Sequence, residues 1–250
     1  MVSAPPRPSA DALSGAAPPA RDSRAVRDMF DAIAHSYDLL NTVLSAGRDA
    51  AWRRRAAREA QLQPGDVAVD VCTGTGKLAR ELRRHVGPAG RVIGVDFSEG
   101  MLEVARRRVP DVDFRVADAT DLGGLAAESA HAVTIAFGLR NISDRGAALH
   151  EAHRLLRPGG RLVVLEFATV RSRLAGRLYG WYLTQLLPRA GRLVSRHGDA
   201  YRYLPRSIAA YPDAPEVSAL LRSAGLQRVR VMRMSLGIVT IHVAERPGRA

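Results

Sequence analysis

A chain of 250 residues, 46% of them apolar, can bury one sizeable core and fits one domain with room for a helical accessory part. Its single cysteine, Cys72, excludes an intramolecular disulfide and suits a reducing, cytoplasmic setting, and no apolar run approaches the ~18 residues of a membrane span. The formal charge of +12 is concentrated: the last hundred residues hold seventeen Arg against six acids, whereas 61–150 hold ten Arg and one Lys against twelve acids. Arginine supplies 36 of the 37 basic residues, which fits a GC-rich coding bias, but such a bias does not gather them at one end. Excess positive charge of this kind points to nucleic acid or an anionic membrane surface.

Residues 1–23 begin with an Ala/Pro/Ser-rich stretch that lacks the apolar core of a signal peptide and reads as a disordered tail. One domain is expected over 24–250, opening with a helical cap at 24–63. Val26, Met29, Phe30, Ile33 and Tyr37 recur at threes and fours through Arg24 to Tyr37, and Asn41 to Gln61 continues as helix with Ser45 as its N-cap. Pro64-Gly65 then breaks the chain. Strands are predicted near 67–72, 91–97, 112–117, 131–137 and 161–168, with helices near 77–86, 99–108, 144–156 and 213–224. Arg157-Pro-Gly-Gly160 reads as a helix stop and tight turn. Alternation of this kind builds a parallel sheet covered on both faces. Two last strands, near 227–234 and 238–245, are joined only by Ser235-Leu236-Gly237, too short for a crossover helix, so they must pair antiparallel. The expected fold is α/β, a Rossmann-like, mostly parallel seven-stranded sheet with a C-terminal antiparallel hairpin and helices on both faces. That is the plan of class I methyltransferases. The long connection 169–212 reads as a substrate-side insertion at the ligand-binding edge of the sheet.

The stretch richest in chemistry is Val67-Ala-Val-Asp-Val-Cys-Thr-Gly-Thr-Gly-Lys77. An apolar run ends in a glycine turn that opens into a helix, and Gly74 and Gly76, lacking a Cβ, let backbone approach a ligand closely. Gly74-x-Gly76-x-x-Ala79 matches a dinucleotide fingerprint, but there the first glycine follows the strand directly and a pyrophosphate lies on the helix N-terminus. Here Asp70 and three further residues precede Gly74. A carboxylate at that place repels pyrophosphate and tolerates the sulfonium and ammonium of S-adenosylmethionine. Asp96, ending the second strand, can accept hydrogen bonds from both ribose hydroxyls. Asp118 can accept the adenine amino proton, and Ala119 beside it lets the ring lie flat. The bland readings are a glycine turn without ligand and a turn cap at Asp118. Thr75, Asp96 and Asp118 on successive strand ends favour a shared pocket.

Arg140 and Asn141 emerge from the fourth strand, where Arg can stabilise a phenolate or enolate oxygen. The competing reading pairs Arg140 with Asp144 and has Asn141 cap the next helix. Tyr37, Asp38 and His242 are candidates for a catalytic base. The remaining histidines show no metal spacing, so no metal is expected.

Phe30-Asp-Ala-Ile-Ala-His-Ser-Tyr-Asp38, Asn41, Leu44-Ser45, Gly47, Trp52-Arg53, Phe137-Gly-Leu-Arg-Asn141, Leu165-Glu-Phe167 and Tyr203-Leu-x-x-Ser207-Ile208 follow one another in that order. Together they resemble the menaquinone/ubiquinone biosynthesis C-methyltransferase family, over about Arg24 to Ala244. The resemblance implies methylation of a ring carbon of a prenylated quinol, foremost demethylmenaquinol to menaquinol, with Thr75, Asp96, Asp118 and Ala119 contacting S-adenosylmethionine. Three positions depart from the family pattern, which usually has Asp where Lys77 stands, His near Asp49, and a donor-contacting Ser where Ala136 stands. They leave another small metabolite open as the acceptor. An NAD-dependent oxidoreductase would need a placed Tyr-Lys or His pair, and Lys77 is the sole lysine. An RNA-binding protein would interleave stacking aromatics with its charge, so a nucleic-acid partner is not expected. Residues 171–206 hold eight Arg and one acid, Asp199, with Leu174, Leu178, Trp181, Tyr182 and Leu186 among them. That pattern suggests peripheral contact with the anionic inner face of a membrane.

Overall fold

The computed structural model describes residues 23–45, 47–168 and 206–249. The tail expected before residue 23 and most of the 169–212 insertion, with its arginine- and leucine-rich segment, lie outside the described residues.

Seven strands form one sheet in the order β3-β2-β1-β4-β5-β7-β6. Strands β1 (Val67–Val71), β2 (Arg91–Asp96), β3 (Asp113–Val116), β4 (Ala130–Ala136) and β5 (Leu156–Phe167) are parallel. Strand β7 (Val239–Glu245) runs antiparallel between β5 and β6 (Gln227–Met234), as the four-residue link between the last two strands requires. Helices α3 (Lys77–Val86), α4 (Glu99–Arg108) and α5 (Arg145–Leu155) make the crossovers, and α6 (Ala214–Ser223) precedes the hairpin. Helices α1 (Ser23–Leu44) and α2 (Asp49–Glu59) precede β1.

The central strands are buried on both faces, so their sequences are apolar runs rather than alternations. Ala68, Val92, Ala132, Val163 and Ile241 face one way, into a core with Leu78 and Leu82 of α3, Leu102 of α4 and Trp52 and Ala56 of α2. Val69, Ile93, Val133, Ile135 and Val164 face the other, against Leu149 and Leu155 of α5 and Val217 and Leu221 of α6. A third, small cluster joins Ile33 and Ala34 of α1 to Met101 of α4, with Phe30, Tyr37 and Val104 around it. Helix α1 therefore docks on the C-terminal edge of the sheet.

The helical boundaries differ from expectation in one place. Helix α1 runs on to Leu44, and the break falls at 45–48, where Gly47 has φ of +75°. Ser45 is not the N-cap of α2: that position is Arg48, and the Ser45 hydroxyl instead accepts from the Asp49 N–H at 3.1 Å. Strand β5 also starts earlier, at Leu156. Pro158-Gly159-Gly160 is taken into the strand as an irregularity, with the Gly159 N–H donating to the Arg246 carbonyl and the Arg246 N–H to that of Gly160.

Candidate active site

The C-terminal ends of β1, β2 and β4 open on a cleft of about 760 Å³, solvent mouth included. Its walls include Tyr37, Gly74, Asp96, Asp118, Ala119 and Ala136, six of the residues singled out above. Phe30, Phe97, Met101, Phe137, Asn141 and Ile142 line it as well.

Asp96 ends β2 and is 6% exposed. Its Oδ2 accepts from the Gly74 N–H at 2.8 Å and its Oδ1 from the Ser98 N–H at 3.0 Å. Burial raises its pKa to about 6 despite those donors, and the charge of Asp70 adds to the rise. Each oxygen keeps a further lone pair, so the carboxylate can accept two more hydrogen bonds from a ligand diol. Phe97 follows it directly, an apolar platform that the strand reading had not marked.

The glycine loop is held from beneath. Asp70, 1% exposed, takes the Thr73 hydroxyl at 2.7 Å and the Thr134 hydroxyl at 2.6 Å, and burial lifts its pKa to about 6. It supports the loop and is not among the cleft-lining residues. Thr75 is likewise turned away: its hydroxyl donates to Asp38 at 2.8 Å. Gly76 serves packing, since a Cβ there would lie 3.1 Å from Phe114 and 3.3 Å from Ala105 while φ is +77°. The resulting loop presents Gly74 to the cleft and hides Asp70, Thr75 and Gly76.

Cys72 and Phe137, the residues after β1 and β4, both have positive φ, +56° and +58°. Non-glycine residues in that region cost about 1–3 kcal/mol each and gather at functional sites. No sequence pattern marks them. Asp118 stands at the rim, where its Oδ1 also accepts from the Thr120 N–H at 2.9 Å and hydroxyl at 2.7 Å. The turn cap and the place at the cleft coexist.

Three of the residues considered for catalysis, Arg140, His242 and Asp38, are outside the cleft lining. Arg140 is 5% exposed and pairs with Glu166: its Nη1 reaches Oε1 at 2.7 Å and the Phe137 carbonyl at 2.6 Å, and its N–H donates to Oε2 at 3.2 Å. The partner is Glu166 on β5, not Asp144, which instead caps α5 by accepting from the Ala147 N–H. His242 is 1% exposed on β7 and donates from Nε2 to the Ala214 carbonyl at 3.1 Å, and burial lowers its pKa. It faces α6 rather than the cleft. Asp38 is committed to Thr75, to Lys77 at 3.4 Å and to Arg108. Lys77 is closer still to Asp49, at 2.9 Å, so two of the three positions that depart from the family pattern touch each other. No metal-holding cluster of His, Cys, Asp or Glu occurs among the described residues.

A cleft with a diol-accepting carboxylate on β2, an apolar slot at 117–119 and acidic rather than basic walls fits an adenosine bearing a positive centre. It does not fit a pyrophosphate. The fold and this cleft define a class I methyltransferase, an enzyme that draws its methyl group from S-adenosylmethionine. Within that class the chain belongs to the ubiE/COQ5 methyltransferase family, whose model matches residues 19–246. It is 45% identical to a demethylmenaquinone methyltransferase of Mycobacterium sp. (strain JLS), over 90% of this chain and 95% of that one. It is 41% identical to the ubiquinone/menaquinone biosynthesis C-methyltransferase UbiE of Geobacter sulfurreducens, over 88% of each. Among solved structures, a SAM-dependent methyltransferase from Aquifex aeolicus superposes with a TM-score of 0.59 at 18% identity, over 83% of this chain and 97% of that one. An N-methyltransferase of Haemonchus contortus, in complex with S-adenosylhomocysteine, does so at 0.55 and 16%, over 76% and 51%. At such identities these two speak for the fold alone.

Proposed function

We propose that this methyltransferase acts on a ring carbon of a prenylated quinol, converting demethylmenaquinol to menaquinol. The observation that carries the reading is the acidic, aromatic-walled cleft at the ends of β1, β2 and β4 in a chain of this family. Names of the relatives at 41–45% identity supply the acceptor class. In this reading residues 24–250 are one domain with 24–63 as its helical cap.

Asp96 holds the ribose, Asp118 and Ala119 border the adenine, and Gly74 lets the amino-acid end lie against backbone. Held by these residues, S-adenosylmethionine would supply an electrophilic methyl group and leave as the thioether, and the hydrogen displaced from the ring carbon would be released to solvent as a proton. The chain holds the two reactants in line, worth up to about 7–11 kcal/mol of barrier in favourable cases. Phe30, Tyr37 and Phe137 exclude water and flank a flat ring. Arg140 is a positioning residue: with Glu166 it braces the turn from Phe137 to Asn141 that walls the cleft. The segment 171–206 brings the enzyme to the membrane that holds such a substrate.

Incubation with methyl-labelled S-adenosylmethionine and a membrane lipid extract tests the reading. Label in a menaquinone-type lipid is expected; label in another small metabolite, with none in quinone, overturns it.

A further inference from the structure

Beside the cleft, two buried hydrogen-bond donors have no acceptor among the described residues. Arg53, on α2, is 6% exposed, and its guanidinium lies 5.0 Å over the ring of Phe137, a wall of the cleft. Its Nε makes no hydrogen bond. The nearby carboxylate oxygen, Asp49 Oδ2, stands 4.0 Å off and is already held at 2.9 Å by Lys77. The second donor is Asn41 Nδ2 on α1, buried and without a partner. Asn41 follows cleft-lining Tyr37 by four residues and precedes Ser45 by four, and the Ser45 hydroxyl lies 3.4 Å from Asp49. Residues four apart share a helix face, so Asn41 lies on the face of α1 that carries Tyr37.

Buried donors in native proteins are paired in nine cases of ten or more. Two orphans beside one cleft, one of them cationic, call for an acceptor that none of the described residues supplies and that carries negative charge. Phosphate is a poor match, because Asp38, Asp49 and Asp70 crowd the same side. A single oxygen that becomes anionic only during reaction fits better, and a flat ring on Phe137 would carry it there.

We propose that Arg53 and Asn41 hold the ionisable ring oxygen of the methyl acceptor, and that the Lys77–Asp49 pair is a positioning pair that keeps Asp49 off Arg53. The proposal rests on the quinol reading above and names the residues that recognise the quinol hydroxyl. Arg53 stabilises the oxygen as its proton leaves, and Asn41 fixes its direction.

The test compares binding of a short-chain prenylated naphthoquinol with that of its dimethyl ether, under anaerobic conditions and with S-adenosylhomocysteine saturating. The parent enzyme is expected to prefer the quinol at least tenfold. Arg53→Met and Asn41→Leu should each remove most of that preference with S-adenosylhomocysteine affinity unchanged, and Arg53→Lys should restore part of it. Arg53→Met should also lower kcat for the quinol more than it raises KM. If folded Arg53→Met keeps the parent's preference, Arg53 serves only packing on Phe137 and the proposal falls. Should that variant fail to fold, unaltered preference in Asn41→Leu overturns it equally. A parent that transfers label to no quinol and binds neither compound defeats the quinol reading itself. A parent that methylates quinol, with variants that still discriminate, defeats the oxygen site alone.

Discussion

Single residues carry two sharp expectations. Asp96 has a pKa raised to about 6, chiefly by burial, and in the proposed donor site only its ionised form would accept from both ribose hydroxyls. Affinity for S-adenosylmethionine should therefore be full above pH 7 and fall as pH drops through about 6, by up to about tenfold per unit. Asp70, also raised to about 6, titrates in the same window but stays under the loop, so Asp96→Asn separates the two. Calorimetry should give that variant a flatter pH profile and a donor affinity weaker by about 1.5–3 kcal/mol, the range for hydrogen bonds to a charged group. Unchanged affinity would remove Asp96 from the ribose. The second expectation concerns Arg140 and Glu166, both at most 5% exposed. Removing one partner of a buried pair typically costs about 3–5 kcal/mol, while replacing both with apolar residues is often nearly neutral. Arg140→Met should thus lower the melting temperature strongly, and the double variant Arg140→Met/Glu166→Leu should recover most of it. A positioning role predicts that Glu166→Gln loses turnover as Arg140→Lys does. If Glu166→Gln keeps turnover while Arg140→Lys loses it, Arg140 touches the acceptor.

At the scale of elements, α1 is the part that closes the cleft, and it is latched at two points. Asp31 Oδ1 accepts from the Ser98 hydroxyl at 2.5 Å and the Gly100 N–H at 3.0 Å, so a residue of α1 shares in capping α4. Seven residues on, Asp38 takes Thr75 and Lys77. Loss of a cap costs about 1 kcal/mol, so Asp31→Ala should speed amide exchange in α1 while the central strands keep their protection. Equal loss of protection across β1 and β4 would mean that α1 is no separable unit. How far such elements can be read in advance depends on where their partners lie. The inner parallel strands are bounded by local signals, runs of Val and Ile ending at Asp or Gly, and their positions were legible to within a residue or so. The α1–α2 break was not, because Ser45 resembles a cap, whereas the left-handed Gly47 decides the turn. Nor was the early start of β5, whose glycines bond to Arg246, some ninety residues away. The site divides the same way. Gly74, Asp96 and Asp118 reach the cleft from strand ends, a place that local sequence marks. The pairs Arg140–Glu166, Asp38–Thr75 and Lys77–Asp49 join distant elements, and composition of one segment cannot reveal them.

For the whole molecule the question is why a protein of net charge +12 carries its excess in the last hundred residues. The fold accounts for part. Strand β6 is an edge, and Arg228, Arg230 and Arg233 are exposed along it, with Arg228 pairing Glu245 and Arg230 pairing Glu59. Charges of that kind discourage another strand from adding to an open edge. Eight further arginines fall within 171–206, of which only Arg206 is among the described residues. No helix among the described residues is long and apolar enough to cross a membrane, whereas a prenylated quinol resides in one. Near an anionic surface each basic residue contributes about 1 kcal/mol, so a few suffice for reversible docking, and salt weakens it. The enzyme should therefore sediment with anionic vesicles at low salt and be released at high salt. Its apparent KM for prenylated quinol should fall when such vesicles are present. Replacing Arg171, Arg173 and Arg177 with Gln should abolish most of both effects and leave S-adenosylmethionine affinity unaltered, because every cleft-lining position among the described residues is kept. A triple variant that sediments like its parent would detach this segment from membrane docking and return its charge to the surface of the fold.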